Sequence, residues 1–198
     1  MRAILITGLR QARIEERPQP DFLAPDSVIL KTKVAGLCGS DLHYFISESV
    51  SGDPVYYPCL VGHECSAEIV STGPEAKKYK AGELVMVEPS ISCGVCDQCL
   101  AGRLNTCRTI KFLGHPGELP GCFADYFVLP EKNLIPLPPY LSLEEGMLAE
   151  PLSIAVHALR LASIENSATV GVLGTGPIGL LLIMLLKSND FSSIFATD

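Results

Sequence analysis

No hydrophobic run in the 198-residue sequence is long enough to cross a bilayer. The longest, Ile178 to Leu186, falls well short of the roughly 20 apolar residues that a spanning helix needs. Basic charge is also scarce: 15 Lys and Arg against 22 Asp and Glu leave a net charge of -7. That balance removes the electrostatic ground for expecting nucleic acid or an anionic membrane as partner. Internal repeats and low-complexity linkers are missing. No secretory leader is expected, because Met1 runs straight into the alternating segment MRAILITG, which reads as a strand. Eight cysteines without an export signal point to reduced thiols in a cytoplasmic compartment.

What is present is apolar and finely punctuated. A hydrophobic fraction of 47% is ample for a core, and 15 prolines with 17 glycines break the chain into short segments. That pattern suits short strands joined by turns rather than a helical bundle. From Met1 to about Pro139 the segments ARIEERP, SVILKTKVAGL, SAEIVSTG, ELVMVEP and FADYFVLP read as strands. SDLHYFIS, after Cys38, reads as a helix with Ser40 as its cap. A second helix is expected over Pro151 to Ala162, with Pro151 in its first turn. Around Asn166 the character changes: ATVGVLG is a buried-type strand, GTGPIG a tight turn, PIGLLLIMLLKSN an apolar helix and SIFATD a second strand. The expected architecture is a mainly β domain over residues 1–152. A linking helix and the first β-α-β unit of an incomplete Rossmann domain follow over 153–198.

CGVCDQCLAGRLNTC spaces Cys93, Cys96, Cys99 and Cys107 as C-x2-C-x2-C-x7-C. Short spacings let one turn present several sulfurs to the same ion, and four thiolates at ~2.3 Å close a tetrahedral zinc shell. Gly94 and Gly102 supply backbone freedom. Disulfide pairing is disfavoured by the missing export signal. An iron–sulfur cluster is the other reading, since it too uses x2 spacings; the long final spacing and the remaining chemistry favour structural zinc.

Four further residues are unremarkable singly: Cys38 in GLCGSDLH, His63 and Glu64 in VGHE, and Glu150 in LAEPLSIAVHA. Alone, each has a bland reading as a small buried thiol, a core histidine or a solvated carboxylate.

Taken in order, GLCGSDLH, GHE, the cysteine lobe, FADYFVLP, EPLSIAVHA and GTGPIG resemble the zinc-dependent medium-chain dehydrogenases, and the resemblance runs from Met1 to Asp198. AEPLSIAVHA is most similar to the polyol (sorbitol and xylitol) branch and its butanediol and threonine relatives. The resemblance implies a GroES-like catalytic domain in which Cys38 and His63 bind a catalytic zinc. Glu64 and Glu150 would join them directly or through water. It implies a proton relay from Ser40 to His43, a solvent-facing histidine being suited to the outer role. Zinc as a Lewis acid would lower the substrate hydroxyl's pKa, and hydride would pass to a nicotinamide. Two readings of Asp41 stand side by side: a partner that fixes the His63 tautomer, and a helix-start carboxylate. Tyr44 and Phe45 have two open readings, as lining of a substrate pocket or as plain core, and Cys59, Cys65 and Cys122 are taken as small buried side chains. His115 and His157 are not taken as ligands. Glu83 and Leu84 in AGELV, and Ala67 after GHE, depart from the family's usual residues without touching a ligand.

Gly174, Gly176 and Gly179 form G-x-G-x-x-G between a strand and a helix, the context for a pyrophosphate on a helix N-terminus. Asp198, 24 residues after Gly174, closes SIFATD where a ribose-binding acid is expected. A carboxylate there favours NAD over NADP. One helix and two strands make no cofactor cleft, so the 198 residues alone are expected to be inactive, and a complete enzyme to be a homo-oligomer acting on a small alcohol or polyol. Threonine or glucose dehydrogenase, and a non-catalytic zinc-binding module, are the competing readings.

Overall fold

The computed structural model describes residues 1–50 and 52–198. The chain divides into two compact units, Met1–Met147 and Leu148–Asp198.

The first unit is built on a five-stranded antiparallel sheet. Its strands lie in the order Tyr126–Pro130, Ser27–Ala35, Cys65–Thr72, Leu84–Val87 and Leu134–Pro136. Alternation explains why these segments pair. Successive side chains of a strand point to opposite faces, and one face of the sheet collects Val28, Leu30, Cys65, Ala67, Ile69, Val85, Val87, Phe127, Leu129 and Leu134, all buried. Each fully buried Val, Leu, Ile or Phe among them contributes about 1.5–3 kcal/mol relative to exposure. Tyr79 closes this core and donates its hydroxyl to the Leu134 carbonyl at 2.6 Å. Beside it, Gln11–Glu16, Arg2–Gly8 and Cys59–Leu60 form a three-stranded antiparallel sheet. The expected strands are therefore present within two residues of their expected ends, except that the segment from Phe123 pairs only from Tyr126 onward.

The helix after Cys38 spans Gly39–Ile46, but its cap is Cys38, not Ser40. Serine is a good cap by type. Here, however, the carboxylate of Asp41 reaches back to accept the Cys38 N–H at 3.0 Å, which starts the helix two residues earlier and leaves Ser40 in the first turn.

In the second unit the helix Ala149–Ala162 is continuous through the boundary expected between 152 and 153, so the division falls before it, at Met147/Leu148. Pro151 does not break it, because the first turn has no intrahelical use for its missing N–H. The strands Thr169–Leu173 and Ser193–Thr197 pair in parallel, joined through the helix Pro177–Ser188. Val172, Leu186 and Phe191 form their core, with Leu159 and Ile183 packed against it. Among the described residues no helix is long and apolar enough to cross a membrane.

Candidate metal centres

Two groups of ligand-type side chains converge in the first unit. In one, the sulfurs of Cys93, Cys96, Cys99 and Cys107 all lie within 4.8 Å of one another. The second brings a Cys38 sulfur, a His63 nitrogen and a Glu64 oxygen within the same span. All eight cysteines are free thiols, and Cys59, Cys65 and Cys122 are buried, as their expected structural role requires.

The sulfur spacing in the lobe is compatible with one ion. Four sulfurs at ~2.3 Å from a tetrahedral centre stand ~3.8 Å apart; Cys93 and Cys99 are separated by 3.9 Å, and Cys96 and Cys99 by 3.5 Å. Backbone N–H groups point at the sulfurs: those of Val95 and Cys96 at Cys93, those of Arg108 and Cys99 at Cys96, and that of Cys93 at Cys107, 3.3 Å away. These donors lower the Cys93 thiol to about 6, while desolvation pushes Cys99 up to about 12. A cation among them would offset the mutual repulsion of neighbouring thiolates.

The second group is assembled from two places in the sequence. Cys38 caps the helix Gly39–Ile46, and His63 and Glu64 precede the strand Cys65–Thr72. Asp41, 2% exposed, ties them together. One carboxylate oxygen accepts the Cys38 N–H and the other accepts the Gly62 N–H at 3.1 Å, while standing 3.8 Å from His63 Nδ1. The helix-start reading of Asp41 holds; toward the imidazole it stands as a charge neighbour beyond hydrogen-bond length, so no hydrogen bond from it fixes the His63 tautomer here. Burial raises the Asp41 carboxyl above its ordinary range, opposed by His63 and by the two backbone donors. Burial raises Glu64 as well, with His63 and the Cys38 thiol opposing.

Two residues that sequence reasoning does not single out shape this group. A side chain on Gly36 would overlap the Glu64 carboxylate and stand 2.7 Å from Met147 Sδ. The ring of Phe112 packs edge-on against His63, centroids 5.1 Å apart. Gly36, two residues before Cys38 in AGLC, was open to suspicion on position; Phe112 left no signal in the sequence. Ser40 is half-buried and His43, on the next turn of the same helix, is exposed. Tyr44 is core, packed with Ile6, Cys59 and Val61, and Phe45 packs against the same cluster. His115 stands edge-on to Tyr44 and 3.8 Å from Glu118, outside both groups.

Glu150 lies in the second unit, in the first turn of Ala149–Ala162. In the same unit, Gly174 has φ +96, and a side chain on Gly179 would collide with the Gly174 carbonyl, so the turn and helix approach as only glycine allows. Gly176 caps the helix Pro177–Ser188. The Asp198 carboxylate accepts the Thr175 N–H at 3.0 Å, which holds the acid against the glycine turn and lowers its pKa.

Residues 24–139 match the alcohol dehydrogenase GroES-like domain, and the chain belongs to that family, within the zinc-dependent medium-chain dehydrogenases. It is 35% identical over its full length to sorbitol dehydrogenase of Bacillus subtilis, covering 56% of that protein. The crystal structure of galactitol-1-phosphate dehydrogenase from Escherichia coli superposes with a TM-score of 0.91 at 32% identity, over 99% of this chain and 55% of the other. A structure from Sinorhizobium meliloti 1021, described as a zinc-binding dehydrogenase bound to NADP, gives 0.89 at 30% identity, over 100% and 56%. The chain thus spans about half the length of the relatives it matches.

Proposed function

We propose that this chain carries the catalytic-zinc half of a polyol or secondary-alcohol dehydrogenase, with zinc held at two sites. The observation that carries the reading is the pair of separate ligand groups, one all-sulfur and closed, the other of mixed S, N and O donors. A closed four-thiolate shell is structural, whereas a mixed shell leaves room for an exchangeable position.

In this reading Cys38 and His63 supply sulfur and nitrogen to the catalytic ion, and Glu64 approaches directly or through water. Asp41 holds the Cys38 and Gly62 backbone in place and faces the imidazole. Zinc bound there would act as a Lewis acid on a substrate hydroxyl. Ser40 receives the substrate's proton and His43 passes it to solvent, consistent with a half-buried hydroxyl and an exposed imidazole one turn apart. Gly174, Gly176 and Gly179 admit a pyrophosphate to the N-terminus of Pro177–Ser188. Asp198 takes the ribose hydroxyls, which favours NAD; the relative bound to NADP makes cofactor choice a point for direct test. Sorbitol and galactitol phosphate are the substrates named for two relatives, and they motivate a polyol class here. Two strands and one helix make no dinucleotide cleft, so the 198 residues alone are proposed to be inactive.

The test is metal content of the purified chain. About two zinc ions are expected, with Cys38→Ser removing one and leaving the other. A single ion lost on substituting Cys93 and insensitive to Cys38 would favour a non-catalytic module. Turnover of a polyol with NAD by the isolated chain would overturn the proposed inactivity.

A further inference from the structure

The four-cysteine lobe carries a polar network that neither its ligands nor the proposed chemistry requires. Cys96 is followed by Asp97, and Cys107 by Arg108. The two side chains meet as a fork: Arg108 Nε donates to Asp97 Oδ1 at 2.6 Å and Nη2 to Oδ2 at 2.8 Å. Gln98 extends the chain, donating Nε2–H to Asp97 Oδ2 at 2.8 Å. Its Oε1 accepts from Arg103 Nε and from the Thr106 hydroxyl, both at 2.9 Å. The backbone follows the same route, with Arg103 N–H on the Gln98 carbonyl at 2.9 Å and the Arg108 N–H aimed at the Cys96 sulfur. The side chains therefore link the residue after the second cysteine to the residue after the fourth, across the whole Cys99–Cys107 loop.

Both members of the fork are more than half exposed, and an exposed pair adds little to global stability. Its place matters more than its strength. Release of an ion from a closed shell requires local opening, in which one sulfur swings away with its stretch of chain. Cys96 and Cys107 are the two sulfurs whose following residues the fork joins, so neither stretch leaves without breaking it. The root of the lobe is fastened independently, by Asn133 Nδ2 to the carbonyls of Glu88 and Ser90 and by Lys132 Nζ to that of Ser92. Opening of the lobe is thus governed by contacts within the lobe itself.

We infer that the Asp97–Arg108 fork and its Gln98 extension form a latch that sets how slowly the four-cysteine lobe gives up its metal. The inference rests on the reading of that lobe as a zinc site. Asp97, Gln98 and Arg108 are positioning residues here, since they touch no metal and act by holding the ligand-bearing backbone.

The experiment loads the 198-residue chain with cobalt(II) and follows loss of the thiolate-to-cobalt absorption in excess chelator. Arg108→Gln and Asp97→Asn are each expected to speed release about two- to fivefold, the range of an exposed ion pair, with the absorption spectrum and thermal midpoint unchanged. Arg108→Lys, which keeps the charge but loses the two-pronged geometry, is expected to fall between Arg108→Gln and the parent. The exchange variant with Asp97→Arg and Arg108→Asp together is expected to bring the rate back toward the parent, which a change in loop composition alone would not do. Release rates equal in all variants, with the spectrum intact, would overturn the latch and leave the zinc reading standing. A parent chain whose metal content is insensitive to Cys93→Ser would overturn the zinc reading itself.

Discussion

Asp41 Oδ1 stands 3.8 Å from His63 Nδ1, while the same carboxylate accepts the N–H groups of Cys38 and Gly62. A single buried side chain thus fixes the residue that caps the helix, the residue that leads into the GHE turn, and the charge facing the imidazole. Asp41→Asn keeps the shape but presents an amide N–H to one of two backbone donors. Leaving a buried donor unpaired costs about 1–3 kcal/mol. Loss of a group that orients a metal ligand typically lowers affinity roughly 10–100-fold. The expected outcome is a lowered denaturation midpoint together with weakened binding at the Cys38 site, and cobalt bound to the lobe unaffected. Competitive chelator titration reads both sites; equal weakening at the two would contradict the assignment of Asp41 to one of them.

Gly62 has φ +97, and a Cβ there would stand 2.6 Å from the ring of Phe123. Gly82 has φ +89 with open space around it. The pair separates backbone strain from crowding. Gly82→Ala is expected to cost about 1–2 kcal/mol for the left-handed backbone alone. Gly62→Ala adds about 1–3 kcal/mol for displacing Phe123 and shifts the neighbouring His63. Denaturant unfolding of both variants checks this, and equal losses would show that Phe123 yields without cost.

The strands were legible because their buried faces alternate: Val28 and Leu30, Ala67 and Ile69, Phe127 and Leu129 announce a sheet at period two. The cysteine lobe was legible because its four cysteines are close in sequence. The Cys38, His63 and Glu64 group was not readable from spacing. Cys38 and His63 are 25 positions apart, the antiparallel pairing of Ser27–Ala35 with Cys65–Thr72 is what brings them together, and only the resemblance pointed to them. The cap was misread because residue type favours Ser40, whereas the start of that helix is decided by a carboxylate three residues after Cys38. The short strands Ser90–Ile91 and Lys111–Phe112 at the root of the lobe, two residues each, are too brief for any periodicity to show. The Asp97–Arg108 fork did leave a trace, an acid and a base each directly following a ligand cysteine, but nothing in the sequence says that the loop closes so as to join them.

Arg108 and Gln98 hold the Asp97 carboxyl down to about 2, with the arginine the larger cause. A depressed carboxyl contributes stability that is present above its unfolded value, roughly 3.9, and that is lost as pH falls through the folded one. The fork is therefore expected to stay closed at pH 4, where an ordinary aspartate is half protonated, and to open only near pH 2. The carboxyl carbon resonance of Asp97 reports this directly. A midpoint of 3.5 or above would mean that the fork is not closed in solution.

Removal of metal separates the lobe from the sheet. If the lobe holds a cation as proposed, its removal is expected to leave the thiolates at Cys93 and Cys96 without a counter-charge and to open the loop from Cys93 to Cys107. The sheet does not depend on that loop: its core of Val28, Leu30, Ala67, Ile69, Phe127 and Leu129 is closed by strand pairing and by Tyr79. Asn133 and Lys132 keep the segment from Glu88 to Ser92 fastened whether or not the lobe is loaded. Amide hydrogen exchange after chelation is therefore expected to accelerate across 93–107 and to remain slow in Ser27–Ala35 and Cys65–Thr72. Acceleration spreading into those strands would show that lobe and sheet unfold as one unit, and that the ion stabilises the whole domain rather than one loop of it.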